Sequence, residues 1–97
     1  MSTKVYRGRN EIIAQMLQVI KDTGSEGVSR TSIMYKSYLS HAQLKEYLSL
    51  LVEKSLIVEL PHQIRSSGNE KFVYKTTEKG LRFLHICREI EDLIGLK

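Results

Sequence analysis

Apolar residues recur along the first part of the chain at a helical period. Ile12, Ile13, Met16, Leu17 and Ile20 fall at spacings of one, three and four, which lines up one face of a helix from about Asn10 to Asp22. Asn10 is a suitable N-cap, and Gly24 a stop signal after the last turn. Past a short loop, Ser29 caps a second helix over residues 30–36, with Ile33 and Met34 as its apolar side. The period breaks at Ser37-Tyr38-Leu39-Ser40, where a leucine among polar residues suits a tight turn with one buried anchor. Ser40 then caps a third helix from His41 to about Lys54. At about 100° per residue, Leu44, Tyr47, Leu48, Leu51 and Val52 share one side of it. Ala42, Lys45, Glu46 and Ser49 share the other, with His41 and Gln43 in the first turn. The third helix therefore has an apolar back and a small, polar, hydrogen-bonding front.

After Ser55 the pattern switches. Leu56-Ile57-Val58-Glu59-Leu60 and Phe72-Val73-Tyr74-Lys75-Thr76 are rich in β-branched and apolar residues, and the stretch between them is polar and turn-rich. Together they predict a β-hairpin, with Pro61 at an edge or bulge because it has no N–H for a ladder. Thr77 caps a last helix from Glu78 to about Ile94. On it Phe83, Ile86, Ile90 and Leu93 form one apolar line, and Leu81, Leu84, Cys87 and Ile94 a neighbouring one. That surface is wider than one domain core needs. One stripe can pack on the first helix and the hairpin, and the line Phe83, Ile86, Ile90, Leu93 is expected to join two copies as a homodimer.

The order helix, helix, tight turn, helix, hairpin, helix is that of a winged helix-turn-helix. The predicted fold is α+β and mostly helical: three helices and a β-hairpin wing over residues 1–77, with an extra C-terminal dimerisation helix over residues 78–97.

Charge sharpens this picture. The 97 residues carry a formal net charge of +4, with a pI near 9.3. Residues 1–77 hold eleven basic and seven acidic side chains, whereas residues 78–97 hold four of each. The positive field thus belongs to the part of the chain that carries the helix-turn-helix, where a polyanion would bind. A major groove ~12 Å wide admits one helix. His41 and Gln43 in the first turn of the third helix can reach base edges, and Lys45 a guanine or a phosphate. Ser40 and Ser49 can hold phosphate, and Arg65 and Lys71 flank the wing tip. Arg30 and Lys36 on the second helix, with Lys4, Arg7 and Arg9 before the first, add backbone contacts. The expected partner is double-stranded DNA. Glu46 on the polar front opposes a phosphate and is expected to pair with Lys45 or a cytosine amino group.

Four stretches carry a family resemblance: Arg9-Asn10-Glu11-Ile12-Ile13-Ala14-Gln15-Met16-Leu17; Tyr38-Leu39-Ser40-His41; Leu48-Ser49-Leu50-Leu51-Val52-Glu53-Lys54-Ser55-Leu56-Ile57; and Tyr74-Lys75-Thr76-Thr77-Glu78-Lys79-Gly80-Leu81-Arg82-Phe83-Leu84. With their spacing, which covers nearly the whole chain, the sequence resembles the small archaeal winged-helix proteins of the Sulfolobus 10a chromatin type. Ser55 stands where related winged helices usually place a glycine. The resemblance implies double-stranded DNA binding by a homodimer joined through the C-terminal helix in an antiparallel coiled coil.

Other chemistries find little support. His41, His62 and His85 are far apart and show no metal-ligand spacing, and the single Cys87 reads as a small buried hydrophobe. No phosphate-binding glycine loop, paired carboxylates or Ser/His/Asp set stands out, so neither catalysis nor a cofactor is expected. The lone cysteine, the N-terminus without an apolar leader run, and the lack of any apolar stretch approaching ~18 residues predict a cytoplasmic, nucleoid-associated protein with no membrane partner. Winged helices serve as transcription regulators, as architectural chromatin proteins and as protein-interaction modules without DNA binding. A ligand-sensing repressor is a further alternative, with the dimer interface as the place for an effector.

Overall fold

In the computed structural model, which describes residues 8–23, 26–63 and 70–95, the chain runs α1 (Arg9–Asp22), β1 (Val28–Ser29), α2 (Arg30–Lys36), α3 (His41–Glu53), β2 (Ile57–Gln63), β3 (Glu70–Thr76) and α4 (Glu78–Leu93). The strands form one antiparallel sheet in the order β1-β3-β2. The fold is a winged helix-turn-helix with a fourth helix, as the alternation of periods predicts.

α1 starts earlier than expected. Its N-cap is Gly8, not Asn10, because Glu11 reaches back to accept the Gly8 N–H at 2.9 Å and so fixes the first turn two residues upstream. Ile12, Ile13, Met16, Leu17 and Ile20 are all buried, as their spacing requires. Gly24, the expected stop, lies outside the described residues.

β1 is an addition to the expected hairpin. Its two residues, Val28 and Ser29, pair with Tyr74 and Val73. Such a short strand leaves no alternation to read, and Ser29 also serves α2 as N-cap, its Oγ accepting from the Ser32 N–H at 3.2 Å. The hairpin itself is longer than expected, with the β2–β3 ladder running out to His62–Lys71 and Gln63–Glu70. Pro61 pairs with Phe72 on β2, an edge strand, where a missing N–H is tolerated.

One core joins all the layers. Met16, Leu17, Ile33, Leu51, Ile57 and Tyr74 are essentially inaccessible to solvent, and Leu39 is the buried anchor of the turn. Each such aliphatic side chain contributes about 1.5–3 kcal/mol by leaving water. Val52, expected on the apolar back of α3, lies instead at its margin and is exposed.

α4 joins this core through Gly80 and Leu84, with half-buried Phe83 packed at its edge. The two expected stripes are therefore divided differently. Leu84 faces the monomer and Phe83 leans on it, whereas Leu81 is exposed. Ile86, Ile90, Leu93 and Ile94 remain open to solvent.

Candidate nucleic-acid interface

The polar front of α3 is held at both ends by backbone chemistry. At the N-terminus Ser40 and Gln43 form a capping box: the Gln43 N–H donates to Ser40 Oγ, and the Ser40 N–H donates to Gln43 Oε1, both at 3.1 Å. At the C-terminus the Leu56 N–H donates to the Leu51 carbonyl at 2.9 Å and the Ser55 N–H to Val52 at 3.0 Å, with Ser55 left-handed at φ 65°. That pattern is a Schellman motif, and Leu51 and Leu56 are both buried beneath it. The turn before α3 repeats it. The Leu39 N–H donates to Met34 and the Tyr38 N–H to Tyr35, with Tyr38 at φ 57°. Left-handed Tyr38 and the capping box thus shape the turn between α2 and α3, and left-handed Ser55 the exit from α3.

The side chains expected to touch DNA fall into distinct settings. His41, Lys45 and Ser49 are exposed on α3, and Lys36 is exposed in the last turn of α2, next to the turn that leads into α3. Ser40 is exposed, but its hydroxyl serves as the cap. Gln43 is exposed too, yet its carbonyl oxygen belongs to the capping box, so its side-chain NH2 is the group left to reach outward. A bidentate contact to adenine needs both ends of the amide, which the folded helix opposes.

Arg9, expected to contact the DNA backbone, also has partners within the fold. Its guanidinium lies 4.0 Å from Glu46 Oε2 and 5.6 Å over the ring of Tyr47, bracing the start of α1 against α3. Glu46 is therefore paired with Arg9 rather than with Lys45, and the α1 flank of the front is neutralised. Lys4, Arg7 and Arg65 lie outside the described residues. The backbone of Lys71 pairs with His62 in the wing, and its side chain falls outside what is described.

On the opposite flank, α3 and the sheet enclose an open cleft of about 370 Å³ lined by Arg30, Lys45, Ser49, Glu53, Glu59 and Tyr74, among others. Tyr74 is buried and donates its hydroxyl to Glu59 Oε2 at 2.6 Å. Burial first, and then Glu59, push the Tyr74 hydroxyl up to about 12, against which nearby Arg30 acts in the lowering direction. Sequence reasoning missed Glu59 and Tyr74. They are partners only through the hairpin register, which sets Glu59 directly across from Tyr74. It also missed the exposed aromatic pair Tyr35 and Tyr38 beside Lys36.

Among the described residues no three His, Cys, Asp or Glu side chains converge to hold a metal. His85 lies 3.3 Å from Glu89 on α4, far in sequence from His41 on α3 and His62 on β2. No described helix is long and apolar enough to cross a membrane.

A capped helix presented beside a three-stranded wing defines the winged helix-turn-helix class, whose general business is DNA binding. The family model described as winged helix-turn-helix matches residues 6–95, and the chain belongs to that family. Among curated proteins none matches the chain.

Proposed function

We propose that this protein binds double-stranded DNA by setting the first turns of α3 in the major groove and the wing on the adjacent backbone or minor groove. The observation that carries the reading is the outward face of α3. His41, Ala42, Lys45 and Ser49 are small or polar, exposed, and held on a helix whose two ends are pinned, as a reader of base edges must be. The excess positive charge before residue 78 supports it.

The protein acts as a homodimer through α4, whose exposed Ile86, Ile90, Leu93 and Ile94 are a surface that a second copy of the same helix would cover. It is a transcription regulator or an architectural chromatin protein of the archaeal type that its sequence resembles, works near the nucleoid in the cytoplasm, and has no catalytic activity. Titration of labelled duplexes at several salt concentrations tests the reading. Binding must weaken steeply with salt, with a log-log slope of about −0.9 per phosphate neutralised. Comparison of random with selected duplexes then separates a regulator from an architectural binder. Absence of binding at low salt, with the fold intact, would leave the protein-interaction module in its place.

A further inference from the structure

The cleft between α3 and the sheet holds two cations, Arg30 and Lys45, and two carboxylates, Glu53 and Glu59. Its charges cancel, so it has no general attraction for an anion. Whether it receives one depends on where the cations point. Arg30 shares the cleft with both carboxylates, yet among the described residues it forms no ion pair within 4.0 Å, whereas Arg9 on the other flank does. Arg30 lies instead near enough to the Tyr74 hydroxyl to act on it, in the direction opposite to Glu59. The sheet register sets Val28 against Tyr74 on one side and Glu59 against it on the other, and Arg30 follows β1 directly. The hydroxyl gives its only proton to Glu59 at 2.6 Å. What remains on that oxygen is lone pairs, which can only accept, and a guanidinium is an obligate donor.

We propose that Tyr74 and Glu59 are positioning residues that keep Arg30 aimed at the mouth of this cleft, where Arg30, Lys45 and Ser49 together seat one backbone phosphate of the bound DNA. The inference rests on the DNA-binding reading above and extends it to residues with no DNA contact of their own. The tyrosyl hydroxyl stands between an arginine and a carboxylate that would otherwise join. It satisfies Glu59 and offers Arg30 a neutral acceptor, which leaves most of the five guanidinium N–H donors for phosphate oxygens. Remove the hydroxyl and Glu59 loses its donor and captures Arg30, so DNA loses one cation.

The test is duplex binding by the full chain with Tyr74→Phe, which keeps the buried ring. Affinity for random and selected duplexes should fall about 5–10-fold alike, and the salt slope should shrink by about 0.9, the signature of one lost phosphate contact. Two further readouts separate positioning from damage to the fold. In an Arg30→Ala background Tyr74→Phe should change affinity less than about twofold, since the group it positions is gone. Glu59→Gln should raise affinity more in the Tyr74→Phe background than in the wild type, because there it releases a captured arginine. Equal losses from Tyr74→Phe with and without Arg30, or no loss at all, would overturn the positioning role while leaving DNA binding intact. A wild type that binds no duplex would overturn the DNA-binding reading and this inference with it.

Discussion

Gly80, in the first turn of α4, packs directly onto the carbonyl oxygen of Leu56, leaving no room for even a methyl group. A Cβ there would also stand 2.6 Å from Thr76 Cγ2. Thr77 fastens the same spot, its N–H donating to Leu56 O at 3.1 Å and its hydroxyl donating to Ser55 O at 2.7 Å. The start of α4 is thus bolted to the end of α3 backbone to backbone. Gly80→Ala improves helix propensity by about 1 kcal/mol. The clash with a fixed carbonyl outweighs that gain, at a cost of about 1–3 kcal/mol or more. Thermal melts should show a lower midpoint for the variant; a higher one would mean that α4 can slide on Leu56.

Ser55 makes the opposite prediction. It sits at φ 65° with an exposed side chain, in the one backbone region that favours glycine. A residue with a Cβ in that conformation costs about 1–2 kcal/mol, partly offset by the greater unfolded-state freedom of glycine. Ser55→Gly should stabilise the fold by about 0.5–1 kcal/mol in denaturant titrations, without changing the slope of the transition. Destabilisation would show that the serine makes a contact worth more than the strain.

Tyr74 couples stability to alkaline pH. Its hydroxyl is raised above its ordinary value of 10.0 to about 12, chiefly by burial and next by the hydrogen bond to Glu59. The folded state therefore holds this proton more tightly than the unfolded chain does. The stabilisation is complete below about pH 10 and is lost as pH rises toward 12. A shift of this size corresponds to about 3 kcal/mol. The stability of wild type minus that of Tyr74→Phe should be flat from pH 7 to 9 and fall above pH 10. A difference that stays level to pH 12 would mean that neither burial nor Glu59 holds the proton on this hydroxyl.

Much of this architecture was legible before any coordinates, because helical periods and caps are local. Ser29, Ser40 and Thr77 cap the helices that their positions predict, and Ile12 through Ile20 bury the face that their spacing draws. What escaped depends on pairing between distant segments. β1 exists only because Val28 meets Tyr74 across 46 residues, and the Glu59–Tyr74 bond requires the hairpin register. Gly8 displaced Asn10 as a cap because Glu11 satisfies a backbone N–H that a side-chain count does not see. Gln43 shows the same competition within a candidate site, since a residue chosen for its hydrogen-bonding amide spends half of it on the helix.

That competition separates readers from positioning cations on α3. His41 is exposed in the first turn and its ring has no hydrogen-bond partner among the described residues, and Lys45 lies one turn further along, in the cleft with Arg30. His41→Ala should relax preference between selected and random duplexes, with about 1–3 kcal/mol lost on the selected site if the contact is to a base edge. Lys45→Ala should weaken every duplex about equally and reduce the salt slope by about 1. Identical behaviour of the two variants on both kinds of DNA would make α3 a backbone binder and the protein architectural.

The last prediction concerns the outward face of α4. Ile86 and Ile90 are about half exposed, and Leu93 and Ile94 more so, at 84% and 62%. They lie on the last two and a half turns, beyond the point where Leu84 enters the core. Phe83, partly buried, packs at the edge of the monomer core. Fully burying an isoleucine or leucine contributes about 1.5–3 kcal/mol, and four such side chains contributed by each copy exceed a moderate association cost. Two copies related by a twofold axis also present two α3 helices, which matches paired half-sites about one helical turn apart. Sedimentation of the wild type at tens of micromolar should give twice the 11.2 kDa of one chain, and Ile90→Asp should give one. Cys87, on the same helix, supplies a second readout. Its thiol is already pushed up by burial and then by Glu91, so it reacts slowly. Alkylation should quicken in Ile90→Asn, which opens the neighbouring face to solvent without adding a carboxylate beside the thiol, and Ile90→Asp should lose DNA affinity without losing helix content. A wild type that sediments as a single chain at that concentration defeats the dimer.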